Sequence, residues 1–396
     1  MKIRFMKIAF FSLFPLEVGG GQAQYFINTS INLMKLFSES EISIITLNEE
    51  LSKKLKILLS IYYFKNFTKE KDTKEKTKNI VNKLDKIRYI KCSSLKTLKE
   101  ELNKYDVIYS KNEILEAFII KFLIGYKNRP PIIFGCHTPI YYPIAKSFHS
   151  KVHNFLYNRF VYKYLANGVK KFHVLNYEDE ARLGKLFPKR LVVKISNPFD
   201  FNEFIQNAEK YKYNFDWDKS KFNILWAGRL TPQKGVDDLI NIINALNESK
   251  YKKRIIWNIA GDGLERGKIL NLEKKWGNVK YFGYIENKYM ASIYKQNSLF
   301  ISTSHWEGFP YNLLEAQSTG LPVLAYNISG CNDILDNKVN GILAEDINQF
   351  KGEILNFING KYSFRDIDKY IAQKFNSDAI YKQLINLFKS VKDKNI

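Results

Sequence analysis

Short apolar runs alternate with longer amphipathic segments along almost the whole chain, and this alternation restricts the fold more than any other feature. A short apolar run bounded by turn residues is typical of a buried strand, and a longer amphipathic segment is typical of a helix. Their repeated succession predicts βαβ units, which build parallel sheets covered by helices. The sequence therefore predicts an α/β protein with doubly wound parallel sheets.

The alternation occurs in two series, with a break between them. The break is Asn197–Ser220, a polar and aromatic segment that opens with Asn-Pro and is interpreted as a connection between domains. We therefore expect two domains, residues 1–199 and 200–376, and an amphipathic helix at about 377–396 that packs back on the first domain. The predicted strands are Lys7–Leu13, Glu41–Leu47, Val107–Tyr109, Ile132–Gly135, Phe172–Leu175 and Val192–Ile195, then Asn223–Ala227, Ile255–Ala260, Val279–Phe282, Leu299–Ser302 and Val323–Tyr326. The predicted helices include Gln22–Leu36, Leu115–Ile124, Val236–Asn247 and Tyr311–Thr319.

The chain carries an excess of positive charge. Lys and Arg number 62 against 40 Asp and Glu, which gives a net charge of +22. Such a surface attracts an anionic partner, which can be nucleic acid, an anionic membrane or a phosphorylated substrate. No motif of a nucleic-acid-binding fold occurs, so nucleic acid is not expected as a partner.

Two stretches of the first domain are especially basic. Lys53–Arg88 contains twelve Lys/Arg against four Asp/Glu, and Thr138–Tyr177 contains six Lys/Arg and no acid. One interpretation is a solvated helix face, and the other is an amphipathic surface that rests on anionic lipid headgroups. In the second interpretation, the side chains that enter the lipid interface are Leu58, Tyr62, Phe64 and Phe67.

The sequence favours an intracellular, reducing environment. Its three cysteines, Cys92, Cys136 and Cys331, are too few and too scattered for a disulfide framework or a zinc cluster. No apolar run reaches the ~18 residues that a membrane-spanning helix needs. The N-terminal MKIRFMKIAFFSLFPL resembles a signal peptide, but no small-x-small cleavage site follows, and we interpret it as a buried strand. The expected location is cytoplasmic, with peripheral attachment to the inner face of the cell membrane as a further option.

Three glycine-containing turns follow predicted strands. Gly19-Gly20-Gly21 precedes a predicted helix and can bring backbone amides close to an anion, although a plain tight turn explains it equally. Its spacing is not G-x-G-x-x-G, so the dinucleotide fingerprint is absent. Arg229 and Lys234 stand five residues apart around the next turn and can clamp a diphosphate, the alternative being two surface cations. Gly261-Asp262-Gly263 is interpreted mainly as turn chemistry.

The most specific motif is EGFPYNLLE, in which seven residues separate Glu307 from Glu315. Pro310 suits the first turn of a helix, and the amides of Gly308 and Phe309 precede that helix and can bind an anion. Two separated carboxylates beside such a helix end suit a nucleotide sugar, with one carboxylate for the sugar and the other for the ribose.

His137 follows the predicted strand Ile132–Gly135, at the strand end where α/β sheets bind ligands, so catalytic and structural roles are both open. Cys136 and His137 point to opposite faces of the strand, which argues against a shared site. Two Asp-x-Asp matches, Asp216-Trp217-Asp218 and Asp366-Ile367-Asp368, do not follow apolar strands, and no metal is expected to bind there.

The second half of the chain resembles the family-four retaining glycosyltransferases of the GT-B fold. The resemblance extends from Asn223 to about Leu343 through GRLTPQKGVDDLI, IAGDGLERGKIL and FGYIENKYMASIYKQNSLFISTSHWEGFPYNLLEAQSTGLPVLAYNISGCNDILDNKVNGIL. In the first half it is thinner, through GGGQ, CHTPIYYP around His137 and ISNPFD. The last motif carries Pro198-Phe199 where the family usually has Gly-Val within Asn-Gly-Val-Asp.

The resemblance implies two Rossmann-like domains that face a cleft, the first for the acceptor and the second for the donor. It implies that Arg229 and Lys234 bind the donor diphosphate as the leaving group, so no metal or other cofactor is needed. Glu307 would hold the sugar hydroxyls, Glu315 the ribose, and His137 would contact the sugar near the reacting carbon. The implied donor-binding residues are Gly20, Gly21, Arg229, Lys234, Gly308, Phe309, Pro310, Tyr311, Leu314 and Glu315, and the implied catalytic residues are His137 and Glu307.

The function expected from the resemblance is transfer of a sugar from a UDP- or GDP-sugar to a glycan or lipid-linked acceptor, in cell-surface polysaccharide or glycolipid synthesis. The expected partners are therefore the nucleotide sugar, that acceptor and an anionic membrane surface. Two other activities on the same fold stay open. One is transfer to a soluble acceptor such as a sugar phosphate, and the other is epimerisation of a nucleotide sugar.

Overall fold

The computed structural model describes residues 5–16, 21–58, 81–111, 114–127, 129–143, 148–215 and 217–392. The chain divides into two compact units. The first consists of Met1–Pro198 and Asp378–Ile396, and the second of Phe199–Ser377.

Among the described residues, the first unit has a sheet of seven parallel strands: β1 Lys7–Ser12, β2 Glu41–Leu47, β3 Arg88–Cys92, β4 Val107–Lys111, β5 Ile132–Cys136, β6 Lys171–Val174 and β7 Val192–Lys194. They lie in the order β3-β2-β1-β4-β5-β6-β7. The central strands β1 and β5 bury almost every side chain, as strands of a parallel sheet covered on both faces do. The described helices of this part are α1 Gly21–Leu36, α2 Glu49–Leu58, α3 Leu95–Leu102, α4 Ile114–Ile119, α5 Phe148–Leu156, α6 Val161–Leu165 and α7 Tyr177–Leu186, with a π-helix at Ile120–Ile124 and a 3-10 turn at Lys189–Leu191.

The described part of the second unit has six parallel strands: β8 Phe222–Ala227, β9 Ile255–Ala260, β10 Val279–Gly283, β11 Leu299–Ser302, β12 Val323–Tyr326 and β13 Gly341–Ala344. Their order is β10-β9-β8-β11-β12-β13. The helices are α8 Phe201–Lys210, α9 Val236–Asn247, α10 Arg266–Lys275, α11 Asn287–Tyr294, α12 Tyr311–Ser318, α13 Cys331–Ile334, α14 Ile347–Ile358 and α15 Ile367–Lys374, with 3-10 turns at Pro232–Lys234 and Lys250–Arg254. The two doubly wound parallel sheets predicted from the sequence are therefore confirmed.

The last helix, α16 Ser377–Lys392, packs on the sheet of the first unit. Its fully buried Phe388 meets the ring of Phe10 at 6.1 Å and the ring of Tyr109 at 5.8 Å, both edge to face. At its end, the Lys392 ammonium lies 3.0 Å from the Asp106 carboxylate. None of the helices in the described ranges has the length and apolar character needed to cross a lipid bilayer.

The interpretation of Asn197–Ser220 as a bare connection is wrong for part of that segment. Residues Phe201–Lys210 form α8, which Asp200 caps by accepting a hydrogen bond from the Glu203 amide over 2.9 Å. Phe204 of this helix is buried against the ring of Tyr294 at 6.2 Å. The charged residues between the apolar positions hid this short amphipathic helix in the sequence.

The sequence also missed the strands β3 and β13, which lie at the edges of their sheets. Edge strands need no continuous apolar run, and β3, with sequence RYIKC, keeps most of its side chains partly or fully exposed. The predicted helix Leu115–Ile124 is α-helical only to Ile119 and continues as a π-helix, closed by the Gly125 amide donating to the Ile120 carbonyl over 2.7 Å.

Strand order places a switch point in each sheet. In the first unit β1 lies beside β4, and in the second unit β8 lies beside β11. Loops that leave the carboxyl ends of such strand pairs diverge and open a crevice, where ligands of open α/β sheets bind. The turn after β8 carries Arg229 and Lys234, and the loop after β11 carries Glu307. These sequence-distant residues therefore belong to one switch point.

Candidate functional site

The turn after β8 is held against the turn after β9. The Gly228 amide donates to the Ala260 carbonyl over 3.1 Å. A Cβ atom at Gly261 would overlap the Gly228 carbonyl oxygen, and its φ of 135° is unfavourable for other residues, so the close approach requires glycine. The motif Gly261-Asp262-Gly263 thus supports the turn that carries Arg229.

Lys234 is anchored to the loop after β11 through its backbone. The Thr303 hydroxyl donates to the Lys234 carbonyl over 2.9 Å and accepts from the Trp226 indole over 3.0 Å. The next residue, Gly235, has a φ of 65°, and a Cβ atom there would overlap the Thr303 carbonyl oxygen. The glycine after Lys234 is therefore needed for the two loops to meet.

Two further contacts hold the β11 loop in place. The His305 amide donates to the Gln233 carbonyl over 2.9 Å, and the Gln233 side-chain amide donates to the Trp306 carbonyl over 3.1 Å. On the other side, Gly330 has a φ of 84°, and a Cβ atom there would lie 2.9 Å from the Glu307 carbonyl oxygen. The backbone of Glu307 is therefore fixed from both sides.

These loops bring the side chains of Lys234 and Glu307 into a direct ion pair. Only 14% of the Lys234 side chain and 9% of the Glu307 side chain are exposed. Cys331 is buried beside them, and burial together with the Glu307 charge raises the pKa of its thiol well above the usual value. The pair therefore places one cation and one carboxylate, both largely buried, at the switch point of the second sheet.

Arg229 differs from Lys234 because it is exposed. Among the described residues its guanidinium has no hydrogen-bond or ion-pair partner. Two residues further along, the Thr231 hydroxyl is buried and has no hydrogen-bond partner in the described part of the chain. The turn therefore offers a free bidentate cation and an unsatisfied hydroxyl beside the buried ion pair.

Glu315 lies on α12, where Tyr294 donates a hydrogen bond to its carboxylate over 3.1 Å. Part of the residue remains exposed, but its carboxyl is deep enough that burial raises its pKa to about 7, against the opposing effect of the Tyr294 hydrogen bond. Burial disfavours the ionised form. The carboxyl therefore gains or loses its proton near neutral pH.

The N-terminus of α12 carries no side-chain cap at Pro310. At its start, the Asn312 side-chain amide donates to the Ala227 carbonyl over 3.0 Å, which ties the helix to the end of β8. The Asn312 Oδ1 atom is buried and has no partner among the described residues. Uncapped helix amides attract anions. Tyr311, Asn312 and Glu315 are partly exposed, and the other members of the motif are buried: Glu307, Gly308, Phe309, Pro310, Leu313 and Leu314.

His137, in the first unit, ends a chain of buried polar side chains. The Tyr109 hydroxyl lies 2.8 Å from His137 Nε2 and 2.6 Å from His173 Nδ1, and His173 Nε2 lies 2.7 Å from the Ile195 carbonyl oxygen. Burial lowers the pKa of His173 to about 4. Burial, with the nearby His173 and Lys111, lowers the pKa of His137 well below its usual value. Both rings are therefore neutral at physiological pH.

These hydrogen bonds determine which nitrogen of His137 carries its hydrogen. A carbonyl can only accept, so His173 Nε2 donates to it and His173 Nδ1 must accept from the Tyr109 hydroxyl. That hydroxyl then accepts from His137 Nε2, which leaves a lone pair on His137 Nδ1. In the described residues this Nδ1 atom is buried, and the Asn197 side chain lies close enough to interact with it. His137 and Asn197 thus form a buried polar pair that follows the end of β5.

Other predicted residues do not join these clusters. Gly20 lies outside the described residues, and Gly21 is the first residue of α1. Asp216 also lies outside them, while Asp218 is exposed and accepts hydrogen bonds from Ser220. Within the described ranges, no group of three or more His, Cys, Asp or Glu side chains is arranged to hold a metal ion.

Sequence reasoning missed Tyr109, His173, Asn197, Thr231 and Asn312. Tyr109 and His173 lie inside apolar strands, where a polar residue usually has a structural explanation. Asn197 and Asn312 stand inside the quoted motifs, so their positions were a usable signal. A second usable signal was the turn position of Thr231, between the two predicted phosphate-binding cations.

Residues 207–374, within the second unit, match the family described as glycosyl transferases group 1. An uncharacterized 41.2 kDa protein in the cps region of Klebsiella pneumoniae is 27% identical over 306 residues, which cover 75% of this chain and 81% of that protein. An Escherichia coli UDP-Gal:alpha-D-GlcNAc-diphosphoundecaprenol alpha-1,3-galactosyltransferase is 28% identical over 222 residues. That alignment covers 51% of this chain and 56% of the enzyme, so the chain spans about half of this relative's length.

The fold is also found among solved structures. The sucrose-phosphate synthase of Thermosynechococcus elongatus superposes with a TM-score of 0.71, over 98% of this chain and 100% of that chain, at 16% sequence identity. At this identity the likeness concerns the fold alone, which is GT-B.

Proposed function

We propose a reaction for this chain from the premise that it belongs to the glycosyl transferases of group 1 and has the GT-B fold. The chain is a glycosyltransferase. In the proposed reaction it moves a sugar from a UDP- or GDP-sugar to a glycan or lipid-linked acceptor, with retention at the anomeric carbon and without a metal ion. The name of the E. coli relative, which specifies UDP-Gal, favours a UDP-sugar.

The observation that carries this proposal is the buried pair of Lys234 and Glu307 at the switch point of the second sheet. A diphosphate bound there receives a point charge from Lys234 and a bidentate contact from the exposed Arg229. These cations stabilise the charge that develops on the leaving phosphate. The unpartnered Thr231 hydroxyl is available as a further donor.

Glu307 and Glu315 have separate tasks in the proposed complex. When Lys234 moves to the phosphate, the Glu307 carboxylate is left to accept hydrogen bonds from sugar hydroxyls. It also stabilises the positive charge that develops at the anomeric carbon. Glu315 accepts from the ribose hydroxyls, and the hydrogen bond from Tyr294 keeps its carboxylate oriented.

Retention without a protein nucleophile requires attack on the face from which the nucleotide leaves. The bond between the anomeric carbon and the β-phosphate oxygen breaks, and a bond from the acceptor oxygen to that carbon forms. The acceptor hydroxyl proton passes to the departing phosphate, so the products are the glycosylated acceptor and the nucleoside diphosphate. In this scheme His137 stays neutral, with its hydrogen on Nε2.

A lipid-linked acceptor is proposed because the E. coli relative acts, by its name, on a diphosphoundecaprenol-linked sugar. The net charge of +22 suits work at the inner face of a membrane with anionic lipids. A soluble sugar-phosphate acceptor is the second candidate. It is supported by a Thermosipho melanesiensis relative, a probable sucrose-phosphate synthase, which is 28% identical over 190 residues.

The donor is tested with UDP-, GDP- and ADP-sugars, with and without EDTA. We expect one UDP- or GDP-sugar to raise the melting temperature and to be hydrolysed slowly, since a ligand at 100 times its Kd stabilises by about 2.7 kcal/mol. EDTA should change neither result. A panel in which no sugar nucleotide binds would contradict the proposed function, and strict dependence on Mn²⁺ or Mg²⁺ would contradict metal independence.

A matched variant separates donor binding from catalysis. Glu307→Gln should still be stabilised by the nucleoside diphosphate, because Arg229 and Lys234 remain. It should hydrolyse the sugar nucleotide far more slowly. Normal hydrolysis by this variant would remove Glu307 from the reaction.

A further inference from the structure

The first unit exposes a group of large aromatic side chains that its core does not use. Phe118, Phe122, Phe155, Phe160 and Tyr164 are between 40% and 75% exposed. Monomeric proteins rarely expose a contiguous apolar group of this size without a binding role. We call the connected members, Phe118, Phe122, Phe160 and Tyr164, the aromatic patch.

Three rings of the aromatic patch are in contact across two helices. The rings of Phe118 and Phe122 meet at 4.7 Å, and the rings of Phe122 and Tyr164 at 6.1 Å. Phe160 lies one helical turn before Tyr164, whose amide donates to the Phe160 carbonyl over 3.1 Å. Phe155 stands on α5, which packs against the helix of Tyr164.

The π-helix contributes to this arrangement. The apolar residues Leu115, Ile119 and Ile120 are buried, while Phe118 and Phe122 point outwards. Residues four positions apart lie on the same side of a helix, so both phenylalanines are in contact at the surface. π-helices are rare and are often found at functional sites.

Cations accompany the rings. The Lys121 ammonium lies 4.9 Å from the ring centre of Tyr164, and the Arg159 guanidinium lies 5.5 Å from that of Phe160. Lys163 is exposed beside them. Side chains of this type place an apolar body at a surface and hold their charge at its rim.

The exposed charges of the sequence segment that carries the patch are all positive. Residues 114–177 contain nine Lys/Arg and a single acid, Glu116, which has no exposed surface. No exposed acid of this segment therefore offsets the cations. Exposed phenylalanines within such a positive field match a surface that is apolar inside and anionic at its rim, which is the interface of an anionic bilayer.

We propose that the aromatic patch docks the first unit on an anionic lipid bilayer. The rings enter the headgroup and acyl boundary, while Lys121, Arg159 and Lys163 bind lipid phosphates. The aromatic patch is defined without Lys53–Arg88, of which residues 59–80, including Tyr62, Phe64 and Phe67, lie outside the described residues. The inference rests on the proposed function only where it gives this docking a purpose, which is access to a lipid-linked acceptor.

The test is cosedimentation of the full chain with vesicles of phosphatidylcholine containing 30% phosphatidylglycerol, beside pure phosphatidylcholine. We expect binding to the anionic vesicles alone, at low salt. Phe122→Ser with Phe160→Ser should reduce partitioning about tenfold or more, because each ring loses its apolar burial. Lys121→Gln with Lys163→Gln should reduce it about 25-fold, at about fivefold for each cation. High salt should reproduce the second variant.

The matched control is Tyr284→Ser, which removes an aromatic ring of the second unit that is 51% exposed. It should bind vesicles like the wild type, and all variants should keep the wild-type melting temperature. Wild-type chain that ignores anionic vesicles, or patch variants that bind like the control, would overturn the proposal. Self-association that depends on Phe122 and Phe160 in the absence of vesicle binding would overturn it in favour of a second copy of the chain.

The result is separable from the reaction. Hydrolysis of a sugar nucleotide in solution should be unchanged in the patch variants, since none of these residues belongs to the donor site. A chain that binds vesicles but accepts no sugar nucleotide would support the docking surface and contradict the proposed function. The reverse pattern would contradict the docking surface and support the transferase with a soluble acceptor.

Discussion

Replacing Glu307 with Gln separates the charge of this residue from its volume. In the structure, the carboxylate pairs with Lys234 where both side chains are largely buried. Breaking a buried pair by removing one charge costs about 3–5 kcal/mol, because the other charge stays buried and uncompensated. Gln still offers an oxygen that accepts from Lys234, so we expect the lower end of that range. For a unit of this size about 3 kcal/mol corresponds to a melting temperature lower by about 6–12 °C.

The fall in turnover of Glu307→Gln should be larger than the fraction of unfolded protein can explain. Removing one preorganised electrostatic contact to a developing charge costs about 2.7–4 kcal/mol, or 10²–10³ in turnover. The assay is the initial rate of nucleoside diphosphate release at a temperature where the variant is fully folded. Urea unfolding on the same samples gives the change in stability.

The double variant Lys234→Met with Glu307→Gln separates the loss of stability from the loss of turnover. Replacing both partners leaves no uncompensated charge, so most of the stability should return. Turnover should not return. The control is Asp237→Asn, which breaks an exposed pair with Lys268 and should cost under about 1 kcal/mol. Recovery of activity in the double variant, or full turnover by Glu307→Gln, would refute the reasoning.

Three further variants test the rest of the candidate site. Arg229→Ala should leave the free energy of unfolding unchanged, because the side chain is exposed and unpaired in the described part of the chain. It should weaken UDP binding about tenfold or more. An unchanged affinity, measured by calorimetry, would exclude a contact between Arg229 and phosphate. Because burial raises the pKa of Glu315 to about 7, UDP-glucose binding should weaken as the pH falls from 8 to 6, as the carboxylate takes up a proton. Glu315→Gln should remove that slope, and a slope that persists would assign it to another group. Tyr109→Phe should remove the acceptor of the His137 Nε2 hydrogen. ¹⁵N NMR should then show a mixture of His137 tautomers in place of one, and kcat should be lower. A single unchanged tautomer would disprove the hydrogen-bonded chain.

Much of the second unit could be predicted from local sequence. The apolar strands Ile255–Ala260, Leu299–Ser302 and Val323–Tyr326 have the predicted bounds, and α9 does as well. The periodicity of apolar residues indicates which side chains of a segment face the core and which face solvent. Buried parallel strands give the clearest pattern. Segments that bury only one side, such as α8 and β3, give weaker patterns and were missed.

The residue types of the candidate site were also visible in the sequence. Arg229, Lys234, Glu307 and Glu315 stand in motifs whose spacing suits a nucleotide sugar. What the sequence could not show is the direct pairing of Lys234 with Glu307, 73 residues apart. That contact depends on β8 lying beside β11, and on glycines that let the two loops meet.

The same limit applies to the first unit. The sequence marked His137 but left catalytic and structural roles open. Its neutral state and the position of its hydrogen on Nε2 follow from contacts with Tyr109 and His173, which come from two other strands. Local pattern determines which segments become strands and which side chains are buried, because both depend on neighbours along the chain. The protonation of His137 and the pairing of Lys234 depend on neighbours across the sheet, and only the order of the strands in the tertiary structure decides those.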